Sequence, residues 1–411
     1  MIQNRIKRKL NSEMTKSKKL WQVKGVESDA FVDQFIVGDD FFLDGKLLPF
    51  DIKASKAHAK MLEHIGVLDK NENKRIQAAL DDILELHKEG KFEISREQED
   101  CHTAIEEFLT KKCGDSGKKI HTGRSRNDQV LVATRLFMQD ALLRVRGNLK
   151  DVILSFKKAA KSFHSIEMPG YTHYQKAMPT TAKVWLESFS DSLSDSNIFL
   201  DALEKLLDQN PLGSASGFGI RNFDLDREFT SKELGFSKVQ ENPIYCGFSR
   251  GYFENIFLST LEQITISLLR FSTDLLLFST QEFNFIEFAE IFTTGSSIMP
   301  QKRNPDAVEI MQGKLGLFFS KQNEIRSIIT KVTSGYHREF QLVKKPFFEA
   351  LEIVLDSLKL SGLIVEKISF KKESLKKAMT EDLFVTEKVY ELVKKGMPFR
   401  DAYREIKKEI L

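Results

Sequence analysis

The sequence predicts an all-α protein whose centre is a bundle of long helices. Apolar residues recur at helical spacing along most of the chain, and several such segments are much longer than an average globular helix. No segment alternates convincingly between apolar and polar residues, apart from possible short strands near residues 35–42. The composition, with 41% apolar and 29% charged residues, is typical of a globular protein.

The predicted helices fall into three groups along the chain. Residues 54–114 predict shorter helices with breaks at Gly66 and Gly90, because glycine favours helix ends. Long helices are predicted at residues 128–164, 180–209, 249–283 and 306–333, with a shorter one at 346–360. Residues 370–411 predict a lysine-rich helical cap.

These groups define the expected domains. They are a basic N-terminal tail at residues 1–19, an N-terminal helical domain at 20–114, a central long-helix domain at 115–362, and a small C-terminal helical domain at 363–411. A helix over residues 128–164 would be about 55 Å long at a rise of about 1.5 Å per residue. Such helices cannot bury their apolar faces against one compact partner, so we expect their outer faces to pack on further subunits.

Charge and composition exclude several classes of partner. The formal net charge is +3, but residues 1–19 hold seven Lys or Arg and one acidic residue, so the rest of the chain is slightly acidic. We therefore expect no nucleic-acid partner. No apolar run is long enough to predict a membrane span, and the basic start lacks the apolar stretch of a secretory signal, so we expect a cytoplasmic protein. Met14, which is followed by TKSKKLW, also raises the hypothesis that translation begins there.

The sequence gives little support for a metal or cofactor. Phosphate-loop patterns are absent, and none of the three cysteines forms a CxxC pair. His102 and Glu106 have a spacing that could hold a metal, but no third ligand is obvious. A surface helix that is capped by Asp100 and ends at Gly114 is the favoured interpretation. We expect neither a metal nor a cofactor.

The most informative segment is GSSIMPQKRNPD, at residues 295–306. Gly295 permits unusual backbone angles and brings bare amides close to a ligand, while Pro300 and Pro305 interrupt any helix. Lys302 and Asn304 can meet a carboxylate. The segment predicts a loop that closes on an anion, although an ordinary polar connection has a similar composition.

A second polar segment, HTGRSRND at residues 121–128, precedes the first long helix. Asn127 or Asp128 can cap this helix. Arg124 and Arg126 lie where the helix dipole and backbone amides favour an anion. A plain capping segment with two solvated arginines is the alternative interpretation.

Three more segments could contribute to a site. In GYTHYQKAMP, residues 170–179, His173 can transfer a proton near neutral pH, and Thr172 can position a substrate. PLGSASGFG, residues 211–219, could face an anion or form a flexible turn. SGYHREFQLVKKP, residues 334–346, offers three possible binding groups, Tyr336, Gln341 and Lys344.

Together these segments resemble the fumarase and aspartase superfamily. HTGRSRNDQ, GYTHxQ and GSSIMPQKRNPD match its three signature regions in order, and the last motif is highly specific. The sequence is most similar to the argininosuccinate lyase family, through the HTGRSRND string, the upstream DxHTAIE and SKAHAKML segments, and the YxxxxQxxK pattern. The resemblance covers residues 19–362. It implies a three-domain helical fold, a homotetramer with active sites shared between subunits, and elimination of fumarate from a small-molecule substrate without a cofactor.

The resemblance also implies roles for individual residues. Ser296 matches the catalytic base, and His173 is the partner that assists proton transfer to the departing guanidinium. Substrate contacts are implied for Asn127, Thr172, Lys302, Asn304, Tyr336, Gln341 and Lys344, and Arg126 joins them as a cation beside the helix start.

The sequence departs from the family in several places. QVKG follows Trp21 where the family commonly has GGRF, and VGDD replaces an FNAS-like segment, which makes Asp40 the positional equivalent of a serine contact. Tyr174 and Lys176 replace a leucine and an arginine.

Two alternatives stay open. Another fumarate-releasing lyase of the superfamily, such as adenylosuccinate lyase, would have tyrosine or histidine at the place of Gln301 in MPxK. A structural relative that has lost catalysis is the other alternative. The joint presence of Ser296, His173, Lys302 and Asn304 argues against it.

Overall fold

Helices dominate the computed structural model, which describes residues 29–410. The predicted tail at residues 1–19, Met14 and the QVKG segment lie outside these residues. The helices before residue 120 are α1 (Ala30–Val37), α2 (Asp40–Leu43), α3 (Leu48–His64), α4 (Lys70–Lys88), α5 (Cys101–Cys113) and α6 (Asp115–Lys118). The later helices are α7 (Arg126–Ser162), α8 (Ala182–Leu207), α9 (Arg227–Leu234), α10 (Pro243–Phe278), α11 (Asp306–Ile329), α12 (Lys344–Lys367), α13 (Lys372–Ala378), α14 (Val385–Lys394) and α15 (Phe399–Ile410). The all-α prediction is confirmed.

The helix boundaries follow local capping chemistry. Gly66 and Gly90 take positive φ angles of 79° and 68° just beyond the ends of α3 and α4, as the sequence predicts. The third long helix starts earlier than the predicted residues 249–283. The Asn242 side chain accepts hydrogen bonds from the Ile244 and Tyr245 amides, at 2.9 and 3.1 Å, and Pro243 suits the first helical position.

Short antiparallel strand pairs connect some of the helices. The strands are β1 (Glu167–Thr172), β2 (Gln175–Thr181), β3 (Ile286–Glu287), β4 (Thr294–Gly295), β5 (Arg303–Asn304) and β6 (Ser369–Phe370), paired as β1 with β2, β3 with β6, and β4 with β5. The prediction of short strands near residues 35–42 is wrong, because this segment belongs to α1 and α2. Within residues 29–410, none of the helices combines the length and apolar character that a bilayer crossing requires.

The described residues divide into two compact units. The first comprises residues 29–137, 208–250 and 333–344, and the second comprises residues 138–207, 251–332 and 345–410. The domain boundaries predicted after residues 114 and 362 stay predictions.

Each unit has its own apolar core. In the first unit, α3, α4 and α5 bury side chains that include Ile52, Leu80 and Ile105. In the second unit, the Trp185 ring lies 5.7 Å from Phe189 and 5.9 Å from Phe271, and its Nε1–H donates to Asp274 Oδ2 at 2.9 Å. Aromatic packing of this kind adds to the stabilisation from buried area, and the hydrogen bond satisfies the indole.

Two histidines are buried in the first unit with opposite electrostatic surroundings. His102 Nδ1 lies 2.6 Å from Asp51 Oδ2. Burial opposes protonation of His102, but the Asp51 carboxylate outweighs it and raises the pKa of His102. His58 has its Nε2 at 2.9 Å from the Thr122 carbonyl oxygen. Burial, aided by the nearby Arg124 charge, lowers the pKa of His58 well below its ordinary value.

We expect these histidines to give opposite pH dependences of stability. A raised folded-state pKa stabilises the fold below the unfolded value of about 6.5, and this stabilisation is lost as the pH rises through the folded pKa. A lowered pKa destabilises the fold as the pH falls below about 6.5, because the unfolded chain takes up the proton. His102→Gln should therefore lower the free energy of unfolding more at about pH 5.5 than at about pH 9, by about 1 kcal/mol. His58→Gln should show the opposite order and lower it less at about pH 5.5 than at about pH 9.

Urea unfolding of both variants and the wild type across this pH range measures the difference. Parallel pH profiles for the two variants would contradict the assigned charge states.

Candidate active site

A cavity in the first unit brings together side chains that are far apart in the sequence. Its volume is about 130 Å³, below the roughly 300–1,000 Å³ of typical small-molecule pockets, so it can hold one part of a larger ligand. Among its lining residues are five with a predicted role in substrate binding, namely Arg126, Asn127, Tyr336, Gln341 and Lys344. Asp40, the predicted equivalent of a serine contact, also lines it.

Lys344, at the start of α12, is the buried cation of this cavity. Its ammonium forms ion pairs with Asp44 and, at 2.9 Å, with Asp40. Burial disfavours the charged lysine, but the two carboxylates outweigh this effect and raise the pKa of Lys344. Burial raises the pKa of Asp40, whereas Lys344 and His102 hold the pKa of Asp44 below its usual value against the effect of burial. The lysine therefore remains charged at neutral pH.

Arg126 enters the cavity from the first residue of α7, and acidic side chains hold it. Its Nε lies 3.1 Å from Asp100 Oδ2 and one terminal nitrogen lies 3.6 Å from Glu99 Oε2. The same Glu99 oxygen is 3.2 Å from a terminal nitrogen of Arg338. Glu99 has a φ of 68°, which is uncommon for a residue other than glycine. Two arginines thus share one carboxylate that is held in a strained backbone.

The start of α7 differs from the predicted cap. The Ser125 hydroxyl accepts a hydrogen bond from the backbone N–H of Asn127 at 3.3 Å, and Asp128 Oδ1 accepts one from the backbone N–H of Ser125 at 2.8 Å. Asp128 Oδ2 accepts from the amides of Gly213 and Ala215, at 3.0 and 3.3 Å. The segment at residues 211–219 therefore presents these two amides to an internal carboxylate.

Arg124, a predicted anion-facing residue, is also bound inside the fold. It is buried, and its guanidinium donates to Ser55 Oγ at 2.8 Å and to Asp51 Oδ1 at 3.4 Å. The interpretation of Arg124 as a solvated arginine is wrong, because the buried Asp51 carboxylate gives it an internal partner.

His173 and Thr172 lie in the second unit, at the tip of the β1–β2 hairpin. Thr172 pairs with Gln175, so His173 and Tyr174 form the two-residue turn. Both have positive φ angles, 54° and 59°, as a type I′ hairpin turn requires. The imidazole is exposed. The sequence predicted a loop at residues 170–179, but these residues form the β1–β2 hairpin instead.

Ser296, Lys302 and Asn304 lie in the second unit, in the segment around β4 and β5. Ser296 Oγ accepts hydrogen bonds from the Met299 amide at 3.0 Å and the Ile298 amide at 3.3 Å. Asn304 pairs with Thr294, which closes the loop, and Lys302 is exposed. Backbone donors at Ser296 Oγ favour negative charge on that oxygen.

The metal interpretation of His102 and Glu106 does not fit the fold. Glu106 lies 3.2 Å from His121, whereas His102 is bound to Asp51. The Asp100 and Gly114 caps of α5 are confirmed, but His102 is buried and does not lie on a surface. Asp44, Cys101 and His102 place donor atoms within 4.8 Å of one another. The Lys344 ammonium already neutralises Asp44, so we assign no metal to this cluster.

Five lining residues with polar or charged side chains were not singled out from the sequence as substrate-binding groups. They are Glu99, Asp100, His102, Arg250 and Arg338. Glu99, Asp100 and His102 belong to the EDCHTAIE string, and Arg338 lies between Tyr336 and Gln341 in the YxxxxQxxK pattern. Their position within these motifs was the sequence feature that could have indicated a role in the site. Arg250 lies outside these strings, and nothing in the local sequence distinguishes it.

Comparison with known proteins gives consistent results. A family model described as "Lyase" matches residues 24–318. "Argininosuccinate lyase" of Thermotoga neapolitana is 45% identical over 390 residues, which are 95% of this chain and 98% of that protein. The protein of the same name from Sorangium cellulosum is 41% identical, over 96% of this chain and 91% of that protein.

Solved structures show the same fold at low sequence identity. A fumarate lyase:delta crystallin from Brucella melitensis superposes with a TM-score of 0.76 at 18% identity, over 92% of this chain and 88% of that one. A class II fumarase from Schistosoma mansoni gives a TM-score of 0.75 at 14% identity, over 88% and 87% of the two chains. With the family match and the long, closely related sequences, these results show that the chain belongs to the argininosuccinate lyase family of the fumarase/aspartase superfamily.

Proposed function

We propose that the protein splits argininosuccinate into arginine and fumarate by anti elimination, without a cofactor. The observation that carries this proposal is the cavity of the first unit, where five residues with predicted substrate contacts lie together although they come from separate motifs. The names of relatives that align over nearly the whole chain support the same reaction. The small volume of the cavity suits one end of the substrate.

The reaction first removes a weakly acidic proton from the carbon next to a carboxylate. The electron pair moves toward that carboxylate and then forms the C=C bond of fumarate as the C–N bond breaks. The guanidino nitrogen recovers a proton and leaves as arginine. Catalysis therefore requires donors that bind the doubly charged intermediate more tightly than the substrate. Lys302, Asn304 and the amides of residues 295–297 are the groups we assign to it.

Ser296 is the proposed base. A free hydroxyl is a poor proton acceptor at neutral pH, so the alkoxide must be stabilised by donors that are in place before reaction. The Met299 and Ile298 amides supply two such donors at Ser296 Oγ. His173 is proposed to assist proton transfer to the departing guanidinium side, and Thr172 to bind substrate.

The cavity residues are proposed to bind the remaining substrate groups. Tyr336, Gln341 and Asn127 offer hydrogen bonds, and Arg126 and Lys344 offer charge. Gln341 donates to the Ile36 carbonyl at 2.7 Å, so its side-chain oxygen keeps an acceptor for a ligand donor.

A cytoplasmic homotetramer with shared active sites is the proposed assembly. The long helices of the second unit leave large apolar side chains exposed, for example Ile198 at 68%, Leu143 at 64% and Ile310 at 62%. Exposed apolar residues on several helices favour burial against other subunits. His173 and Ser296 would then complete a site through contacts between protomers.

Purified protein should release fumarate from argininosuccinate and not from adenylosuccinate. The increase in ultraviolet absorbance on fumarate formation measures both reactions under identical conditions. Release from adenylosuccinate alone would establish the alternative lyase, and no release from either would favour a relative that has lost catalysis.

Ser296→Ala should lower kcat by about a hundredfold or more, because general-base catalysis is lost. Ser297→Ala is the matched control, since it removes the neighbouring hydroxyl of the same loop, and it should retain most of the activity. Light scattering after gel filtration checks that both variants keep the assembly of the wild type. Equal activities of the two variants would move the base to another residue.

A further inference from the structure

The tip of the β1–β2 hairpin, which carries His173, does not hold its own position. His173 and Tyr174 both have positive φ angles, and residues other than glycine keep this conformation only where the surrounding structure imposes it. Within the described part of the chain, the side chains of residues 172–175 form no hydrogen bond. A two-stranded hairpin alone is also marginally stable. The position of the tip therefore depends on contacts further along the two strands.

The cross-strand pair of Tyr171 and Lys176 supplies these contacts. The two residues are directly opposite each other, so their side chains lie on the same face of the hairpin. The Tyr171 ring lies 5.5 Å from the Phe283 ring and 6.4 Å from the Phe278 ring, which fixes β1. Successive side chains of a strand alternate between faces, so Thr172 lies on the opposite face, where it is exposed. The anchored face thus leaves the proposed substrate-binding threonine free.

Lys176 ties β2 to the end of α13. Its ammonium donates to the Ala378 carbonyl oxygen at 2.7 Å and to the Thr380 hydroxyl at 3.4 Å. Ala378 is the last residue of α13, so its carbonyl has no donor within the helix. The backbone N–H of Thr380 engages this oxygen at 3.0 Å, and the lysine adds a second donor. The Thr380 side chain lowers the pKa of Asp382 by hydrogen bonding, and the Lys176 charge contributes to this effect.

These contacts have a local effect. Lys176 is exposed, and an exposed contact of this kind adds little to global stability. On β2, however, Lys176 is the hydrogen-bonded side chain next to the tip, since Gln175 and the turn residues form no such bond within residues 29–410. Loss of the Lys176 contacts would therefore free the tip without unfolding the unit.

We propose that Lys176 is a positioning residue, which holds the hairpin tip against residues 378–382 and thereby places His173 for proton transfer. This inference rests on the proposed function, since that function assigns the proton transfer to His173. The segment after α13 then supports catalysis through the hairpin, without any contact to the substrate.

Substitution of Lys176 tests the anchor through turnover. Lys176→Met removes the charge and the donor but keeps an unbranched side chain, and it should lower kcat for argininosuccinate by about tenfold or more, because catalytic groups tolerate little displacement. Lys176→Arg restores a cationic donor for the helix end and should stay within about threefold of the wild type. Lys183→Met is the matched control, since the ion pair of Lys183 with Glu187 at 3.0 Å lies within α8. It should leave kcat unchanged.

A double-mutant cycle with His173→Ala shows whether Lys176 acts through His173. In the His173→Ala background, Lys176→Met should lower kcat by only about twofold or less, because the group that Lys176 positions is already gone. The measurement uses saturating substrate, so weaker binding through Thr172 does not enter. An equal loss in both backgrounds would show a general structural effect and overturn the inference. Wild-type kcat in Lys176→Met, or no rescue by Lys176→Arg, would overturn it as well.

Hydrogen exchange, measured by mass spectrometry, tests the anchor without turnover. Peptides that cover residues 167–181 should exchange faster in Lys176→Met than in the wild type and in Lys176→Arg, while the thermal unfolding midpoints of all three stay similar. Unchanged exchange in Lys176→Met would overturn the inference. A wild type that releases no fumarate from argininosuccinate overturns the proposed function, and faster exchange in Lys176→Met alone would then still support Lys176 as the anchor of the hairpin.

Discussion

The ion pairs of Lys344 with Asp40 and Asp44 are the interaction on which the cavity depends. They join the first residue of α12 to a segment about 300 positions earlier in the chain. Asp44 also accepts a hydrogen bond from the Cys101 amide at 3.1 Å, which ties the same charge to the start of α5. Removing one member of such a buried set leaves an uncompensated charge, so the members constrain one another. Three otherwise distant segments are thereby held around one space.

Much of the helical architecture was predictable because periodicity and breakers are local properties of sequence. Gly66 and Gly90 mark helix ends, and the long apolar patterns became long helices. Boundaries were less predictable where capping competed with apolar spacing, as at Asn242. The β1–β2 hairpin was missed because its turn places His173 and Tyr174 at positive φ, where glycine or asparagine is the usual signal. Apolar alternation is also weak in these strands.

The sequence predicted only part of the candidate site. Motif resemblance indicated Asn127, Tyr336, Gln341 and Lys344, the position at a helix start indicated Arg126, and the fold places all five together. The role of Glu99 between two arginines depends on contacts across the fold, which spacing cannot reveal. His102 and Arg124 were interpreted as surface residues because charged or polar side chains usually are. They can be buried because the Asp51 carboxylate contacts both side chains and compensates their positive charges.

The hydrogen bonds at Ser296 have a consequence for when this residue can react. A neutral hydroxyl oxygen has two lone pairs, and the amides of Ile298 and Met299 engage both. An alkoxide has a third. Under the proposed mechanism, Ser296 in its resting state has no vacant lone pair for a substrate proton, and it gains one only when its own proton leaves. Protonation of this single oxygen would thus set the fraction of enzyme that is competent to react at any moment.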